Sequence, residues 1–285
     1  MADDRGATVG TMSQTATAPA AGHLLRHWRR RRRMTQLELS LRADVSARHL
    51  SFLETGRSSP SRGMLLRLAE HLDVPLRERN ALLAAAGYAP AYSENTLDDP
   101  QMRAVRAAID RLLAGHEPYP AVVVDRWWTM VAANRSLAVL TAGLPPALLE
   151  PPVNVLRASL HPDGLARRIR NRAQWRAHLL SRLRRQIDRT GDPGLTRLLD
   201  ELLAFDDTPV AETHTDQVVV PLHVTSDVGD LNLLSTVATF GTAVDITVAD
   251  LSIESFFPLD DTTRARLEAA TRQSTAGDVS RGPAP

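Results

Sequence analysis

The chain has no cysteine and no lysine; all thirty-four of its basic residues are arginine. Without cysteine there can be no disulfide, no thiolate zinc site and no cysteine nucleophile. Without lysine there is no phosphate-loop lysine, no Schiff base and no Ser-Lys dyad. No apolar run approaches the roughly 20 residues of a membrane helix. The first residues, MADDRGATVGTMSQTATAPAAG, lack the basic start and apolar core of a signal peptide, so a cytoplasmic location is expected. The nine histidines are scattered. No HExxH zincin signature, no GxSxG elbow and no GxGxxG after a strand is present, so neither catalytic residues nor metal ligands are expected.

What remains is an ordinary globular composition over 285 residues, long enough for two modest domains, with 43% hydrophobic and 24% charged residues. The net charge of +1 conceals an asymmetry. Residues 1–90 hold fourteen arginines against eight acidic residues, which leaves this end at +6 and the remainder at −5. A basic end on an acidic body fits one nucleic-acid module attached to a second domain.

The basic end is organised as short helices. Leu24, Leu25 and Trp28 form one stripe, with arginines over the rest. The run Arg29 to Arg33 covers every side of a helix. It can act as a solvated face with non-specific attraction for DNA, and at most two or three of its members can meet DNA. Thr35 followed by Glu38 is a capping box and starts a second helix, for which Leu37, Leu39 and Leu41 give an apolar side. Asp44-Val45 is a very short turn. Ser46 is a good N-cap for a third helix whose Leu50 and Leu53 face inward and which ends at Thr55-Gly56.

Two short helices across a tight turn form a helix-turn-helix, whose second helix enters the major groove N-terminus first. Its candidate reading positions are Ser46, Ala47, Arg48, His49, Ser51 and Phe52. Arg48 suits a bidentate pair with guanine, and Ala47 or Phe52 a thymine methyl. Gln36, Arg57, Ser61 and Arg62 suit phosphates.

Thr35-Gln36, Leu39-Ser40, Asp44-Val45-Ser46, Leu50-Ser51, Glu54-x-Gly56-Arg57 and Pro60-Ser61 together resemble the helix-turn-helix of the XRE/lambda-repressor-like family. Asp44 stands where that family usually has glycine; Asp tolerates a left-handed turn better than most residues. The resemblance covers residues 23–88 and implies a five-helix DNA-binding domain.

Beyond a turn-rich break, a helix is expected from Asp98-Asp99-Pro100 to Gly115. Strands are expected at Ala121–Val124 and Thr129–Ala132, a short helix from Asn134, and a helix from Gly164 to Thr190 with Trp175, Leu179 and Leu183 on one stripe. A shorter helix follows at Leu195–Leu203. Residues 217–224, 231–240 and 243–251 have the β-branched texture of strands, with a hairpin turn at 226–230. A last helix runs from Asp261 to about Gln273.

The stretches HEPYPAVVVDRWWTMVAANRS, NVLRASLHPDGLARRIRNRAQWRAHLLSRLRRQ and STVATFGTAVDITVADLSIESFFP resemble the MmyB-like ligand-binding domain, a PAS-like sensor found behind helix-turn-helices of this kind. The resemblance implies a pocket for a small apolar ligand, fatty acids leading, and no other cofactor. Candidate lining residues are Trp127, Trp128, Asn134, His161, Trp175, His178, Phe240, Phe256 and Phe257. For each aromatic a plain core role competes, for His161 a turn-stabilising hydrogen bond, and for His178 a surface position.

The whole reads as an α+β protein of two domains. Residues 21–88 form an all-α, five-helix lambda-repressor-like helix-turn-helix domain. Residues 100–273 form a PAS-like antiparallel sheet flanked by helices. Residues 89–99 are a linker, and 1–20 and 274–285 disordered tails. The expected function is sequence-specific transcriptional regulation under a small apolar ligand, with double-stranded DNA and a second copy as partners, no membrane and no enzymatic activity. The competing reading makes the C-terminal body only a dimerisation or protein-partner module.

Overall fold

The computed structural model describes residues 18–206 and 219–279, with side-chain environments for 20–206 and 219–273. Most of the expected N-terminal tail, His214, the first two residues of the expected strand 217–224, and residues 280–285 lie outside the described residues. The chain divides into two compact units between Ser93 and Glu94.

The first unit is five helices: α1 (Ala18–Arg31), α2 (Gln36–Arg42), α3 (Ala47–Glu54), α4 (Arg62–His71) and α5 (Leu76–Ala85). Its core is Leu25, Trp28, Leu39, Leu50, Leu53, Leu68, Leu72 and Leu82. Full burial of each such side chain contributes about 1.5–3 kcal/mol. The capping box forms: Thr35 Oγ1 accepts from Glu38 N at 3.1 Å, and the Glu38 carboxylate accepts from Thr35 N at 2.7 Å. Gly22 lets α1 close on the end of α3, because a Cβ there would stand 2.2 Å from the Leu53 carbonyl oxygen.

The apolar side expected of α2 is corrected in part. Leu39 is buried, but Leu37 and Leu41 are 60% and 74% exposed. The buried face is Leu39, Ser40 and Ala43, set by packing against α3 and α4 rather than by the leucine spacing. Ser40 is accommodated because its hydroxyl donates to the Leu37 carbonyl at 2.8 Å, so no unpaired polar group is buried.

The second unit begins with α6 (Arg103–Gly115), preceded by one 3-10 turn at Pro100–Met102. Strands β1 (Ala121–Val124) and β2 (Met130–Ala133) follow, then the short helices α7 (Ala138–Thr141), α8 (Pro146–Leu149) and α9 (Val155–Leu160). Two longer helices come next, α10 (Arg172–Thr190) and α11 (Pro193–Ala204). The rest is β3 (Leu222–Ser226), β4 (Gly229–Thr239), α12 (Ile246–Asp250), β5 (Ser252–Pro258) and α13 (Asp261–Val279). The strands form one antiparallel sheet in the order β2-β1-β5-β4-β3. One sheet face carries Val122, Val124, Phe256, Leu231, Leu233 and Val224 into a large core shared with α9, α10 and α11. The other carries Ala121, Val123 and Ile253 against Ile109 and Leu113 of α6.

Three expectations are corrected here. Residues 243–251 are not a strand. Asp245 caps α12, its side chain accepting from Thr247 N and Val248 N, and this local cap overrides the β-branched texture. The fifth strand is instead Ser252–Pro258, at the centre of the sheet. The helix expected from Gly164 is broken: residues 165–168 make a 3-10 turn, Ile169 bridges to Val224, and α10 starts only at Arg172. Asn171 causes the break by spending its side chain on the Pro221 carbonyl and the His223 N–H. Finally, α13 continues to Val279, through the first six positions expected to be tail.

Candidate functional site

The turn between α2 and α3 is built by Asp44, at φ 51°, with Val45 N donating to the Ser40 carbonyl at 3.0 Å. Ser46 then caps α3, its hydroxyl oxygen accepting from His49 N at 3.1 Å. Leu50 and Leu53 point into the core, which leaves Arg48 exposed and Ala47, His49, Ser51 and Phe52 half-buried. The Arg48 guanidinium lies 5.4 Å from the centroid of the Phe52 ring. Phe52 therefore supports the arginine alongside the helix, narrowing the conformations it samples before it meets a partner.

After α3 the chain turns through Gly56 at φ 72°, placing Arg57, Ser61 and Arg62 on the surface. Ser61 caps α4 by accepting from Met64 N at 3.2 Å.

The five arginines are not equivalent, a feature that sequence reasoning missed. Arg29 is buried, and its Nε and Nη2 donate to the two carboxylate oxygens of Glu54 at 2.6 and 2.8 Å. Its Nη1 donates to the Met34 carbonyl at 2.7 Å. Arg32 donates to the carbonyls of Leu72 and Asp73 at the end of α4. Two members of the run are thus committed to holding the unit together. Gln36 joins the same cluster, donating to Glu54 at 2.8 Å, which fixes its side chain at the start of α2.

The second unit holds a half-open cavity of about 90 Å³ between the sheet, α7 to α9 and α10. Of the candidate lining residues, Trp128, Trp175 and Phe256 form its wall. Leu140, Leu156, Leu179, Met130 and Glu254 complete much of the rest and were not expected. Trp127 is 44% exposed with the Arg126 guanidinium over its ring, and His161 accepts from Asp163 N at 3.1 Å, the turn-stabilising bond. Phe240 packs on the opposite face of the sheet, and Phe257 meets His116 with ring centroids 4.7 Å apart. His178 lies behind the wall, stacked on Trp175 at 5.4 Å. Burial, with the charges of Arg182 and Arg185, holds its pKa down at about 4, so its ring is neutral near pH 7. Asn134 lines a different, open cleft of about 930 Å³ between α6 and α13. There it accepts from Ala121 N at 2.9 Å and donates to the Tyr119 carbonyl at 2.7 Å, pinning the start of β1.

Trp128 sits in the left-handed region at φ 66°, which costs a bulky residue about 1–3 kcal/mol. Its surroundings over-determine the conformation. The ring N–H donates to Gln186 at 2.8 Å, the backbone N–H to the Asp125 carbonyl, and the carbonyl accepts from Val155 N. Against its indole face lies the Arg182 guanidinium, 4.8 Å from the ring centroid, which donates to Glu254 at 2.9 Å.

Comparison with known proteins identifies both halves. Residues 25–79 match the helix-turn-helix family model, and residues 105–270 match the MmyB-like transcription regulator ligand binding domain. The chain belongs to the MmyB-like transcription regulators. It is a DNA-binding transcription regulator whose helix-turn-helix unit precedes the MmyB-like domain. No curated protein matches the chain. Among solved structures, an RNA-binding light-oxygen-voltage receptor is 16% identical, with 96% of this chain and 70% of that chain covered and a TM-score of 0.25. Among the described residues no group of three or more His, Asp or Glu gathers to hold a metal, and no helix is long and apolar enough to cross a membrane.

Proposed function

We propose that this regulator binds a pseudo-palindromic operator as a homodimer, and that a small apolar, fatty-acid-like ligand in the MmyB-like domain sets its affinity for DNA. The observation that carries the reading is the pairing of an exposed Arg48 backed by Phe52 on α3 with an apolar cavity inside the core of the second unit. In this reading Arg48 makes a bidentate contact with a guanine edge, and Ala47 or Phe52 meets a thymine methyl. Ser46, His49 and Ser51 complete the reading surface, and Gln36, Arg57, Ser61 and Arg62 contact phosphates. Two copies would place their reading helices about one helical turn apart, roughly 34 Å.

A cavity of about 90 Å³ is smaller than the engineered cavities of about 150 Å³ that accept benzene, so a chain-like ligand must spread its walls. That requirement supplies the coupling. A ligand that binds a spread form better than a compact one shifts the balance between them, and it alters DNA binding only if the two forms differ in their affinity for DNA.

Two measurements test the reading. Sequences selected from random DNA should contain two related half-sites, and host lipid extract should change the amount of DNA retained. Native mass spectrometry of protein purified from its host should show a co-purifying small apolar molecule. Full operator binding that no extract alters, by a dimer without a co-purifying molecule, would instead make the second unit a dimerisation or partner-binding module.

A further inference from the structure

All five helices of the first unit end in the same way. Two residues past each helix the chain enters the left-handed region, and the next N–H donates back five residues. Those bonds run from Met34 to the Arg29 carbonyl, Val45 to Ser40, Arg57 to Phe52, Val74 to Ala69 and Tyr88 to Leu83. The left-handed positions are Arg33, Asp44, Gly56, Asp73 and Gly87. Glycine takes this conformation without penalty, and aspartate tolerates it better than most residues. Arginine has neither advantage, because its Cβ crowds the following carbonyl and its side chain is too long to bond its own backbone in compensation. Arg33, at φ 53°, is the strained member of the set.

Nothing among the described residues offsets that strain. Arg33 is exposed, and its guanidinium has no hydrogen-bond or ion-pair partner among them, whereas Arg29 and Arg32 of the same run hold the unit together. An uncompensated strained residue on a surface points to a contact made with a partner.

The neighbours of Arg33 fix where its turn lies. The Met34 carbonyl accepts from Arg29, and the Gln36 side chain donates to Glu54, the last residue of α3. Both are tied into the cluster at the end of α3, while Arg33 and Thr35 alternate with them and are exposed. In a helix-turn-helix the helix before the reading helix crosses the phosphate backbone, so phosphates come near the start of α2. Arg33 is separated from Gln36 by at most roughly 11 Å of chain.

We propose that Arg33 is a phosphate contact of the DNA-bound protein, presented by a strained turn at which glycine, the relaxed residue, would present no charge. The proposal rests on the helix-turn-helix reading above and adds a contact that reading does not include. A guanidinium donating to phosphate oxygens makes charge-assisted hydrogen bonds and releases a counterion from the DNA. It adds affinity on every sequence and reads none.

The test uses the full-length protein and a duplex carrying the operator selected from random DNA. Arg33→Gly should protect the amides of α1 and α2 from hydrogen exchange about fivefold better, because the strain is gone. It should nevertheless bind the duplex about tenfold more weakly at about 0.15 M salt, with a salt slope shallower by about 1. Arg33→Ala should lose the same affinity without the gain in protection. Arg26→Ala removes an equal charge from an exposed position earlier on α1 and should stay within about threefold of the unmodified protein. An unchanged affinity and slope in Arg33→Gly overturns the proposal. So does a loss that Arg26→Ala matches, since net charge then accounts for it, and so does faster exchange in Arg33→Gly, since the turn then carries no strain. Arg48→Ala in the same assay keeps the two ideas apart. A shallower slope in Arg33→Gly with unaltered base discrimination in Arg48→Ala sinks the reading by α3 and keeps this contact; lost discrimination with an unchanged slope does the reverse.

Discussion

Arg29 and Glu54 meet through two parallel hydrogen bonds, 2.6 and 2.8 Å long, inside the helix-turn-helix unit, with Glu54 only 1% exposed. The pair ties α1 to the end of α3, the helix proposed to read DNA. Removing one partner strands the other. Glu54→Ala should lower the unfolding free energy of this unit by about 3–5 kcal/mol. The Arg29→Met, Glu54→Leu double variant should lose much less, since no charge remains buried. Amide hydrogen exchange in α1 and α3 measures both, and equal losses would contradict the stranded-charge account.

Gly22 makes a second, independent link between the same helices. A Cβ at this position would collide with the backbone of Leu53 and Glu54, which a helix cannot move cheaply. Gly22→Ala should cost at least about 1–3 kcal/mol despite the better helix propensity of alanine. Gly63→Ala, in α4 with nothing near its Cβ, is the control and should be neutral or stabilising by about 0.5–1 kcal/mol.

Arg48→Ala should lose affinity unevenly. On operators carrying the guanine it reads, the loss should be about 1–3 kcal/mol, and discrimination at that base should disappear. Uniform weakening across a panel of operator variants would make Arg48 a phosphate contact. For Arg57→Ala the expectation is the opposite: similar weakening on every sequence and a salt slope shallower by about 1.

His178 makes the second unit sensitive to acid. Its pKa in the fold is about 4, against an ordinary 6.5, so the unfolded chain takes up a proton between these values while the folded chain does not. The contribution is constant above pH 6.5 and is lost as pH falls toward 4. The melting temperature of the protein should fall through this window, and in His178→Gln the fall should be shallower. Parallel pH profiles for the two proteins would remove His178 as the cause.

The helix-turn-helix was legible in the sequence because its determinants are local. Thr35, Asp44, Ser46 and Gly56 each act on backbone within a few residues of themselves. The face of α2 was not legible, because Leu37 and Leu41 satisfy helical spacing equally well on the side that packs against nothing in the unit. Tertiary contacts with α3 and α4 made that choice. Arg29 was hidden for a similar reason: five identical neighbours differ only in which of them reaches Glu54, twenty-five residues away.

In the second unit, periodicity exposed the stripe Trp175, Leu179 and Leu183, and all three are buried. Texture misplaced the last strand, because one side chain, Asp245, turns a β-branched segment into a helix. Glu254 gave no local sign of its position, since its burial depends on strand pairing with β1 and β4.

The narrowness of the cavity sets a clock as well as a limit on size. If a ligand acts here as proposed, a guest bulkier than about 90 Å³ should enter more slowly than it diffuses to the surface, because the walls around α7 to α9 must part for it. Its association rate should then saturate with concentration and its release should be slow. Such a regulator would average over brief swings in supply and respond to abundance that lasts.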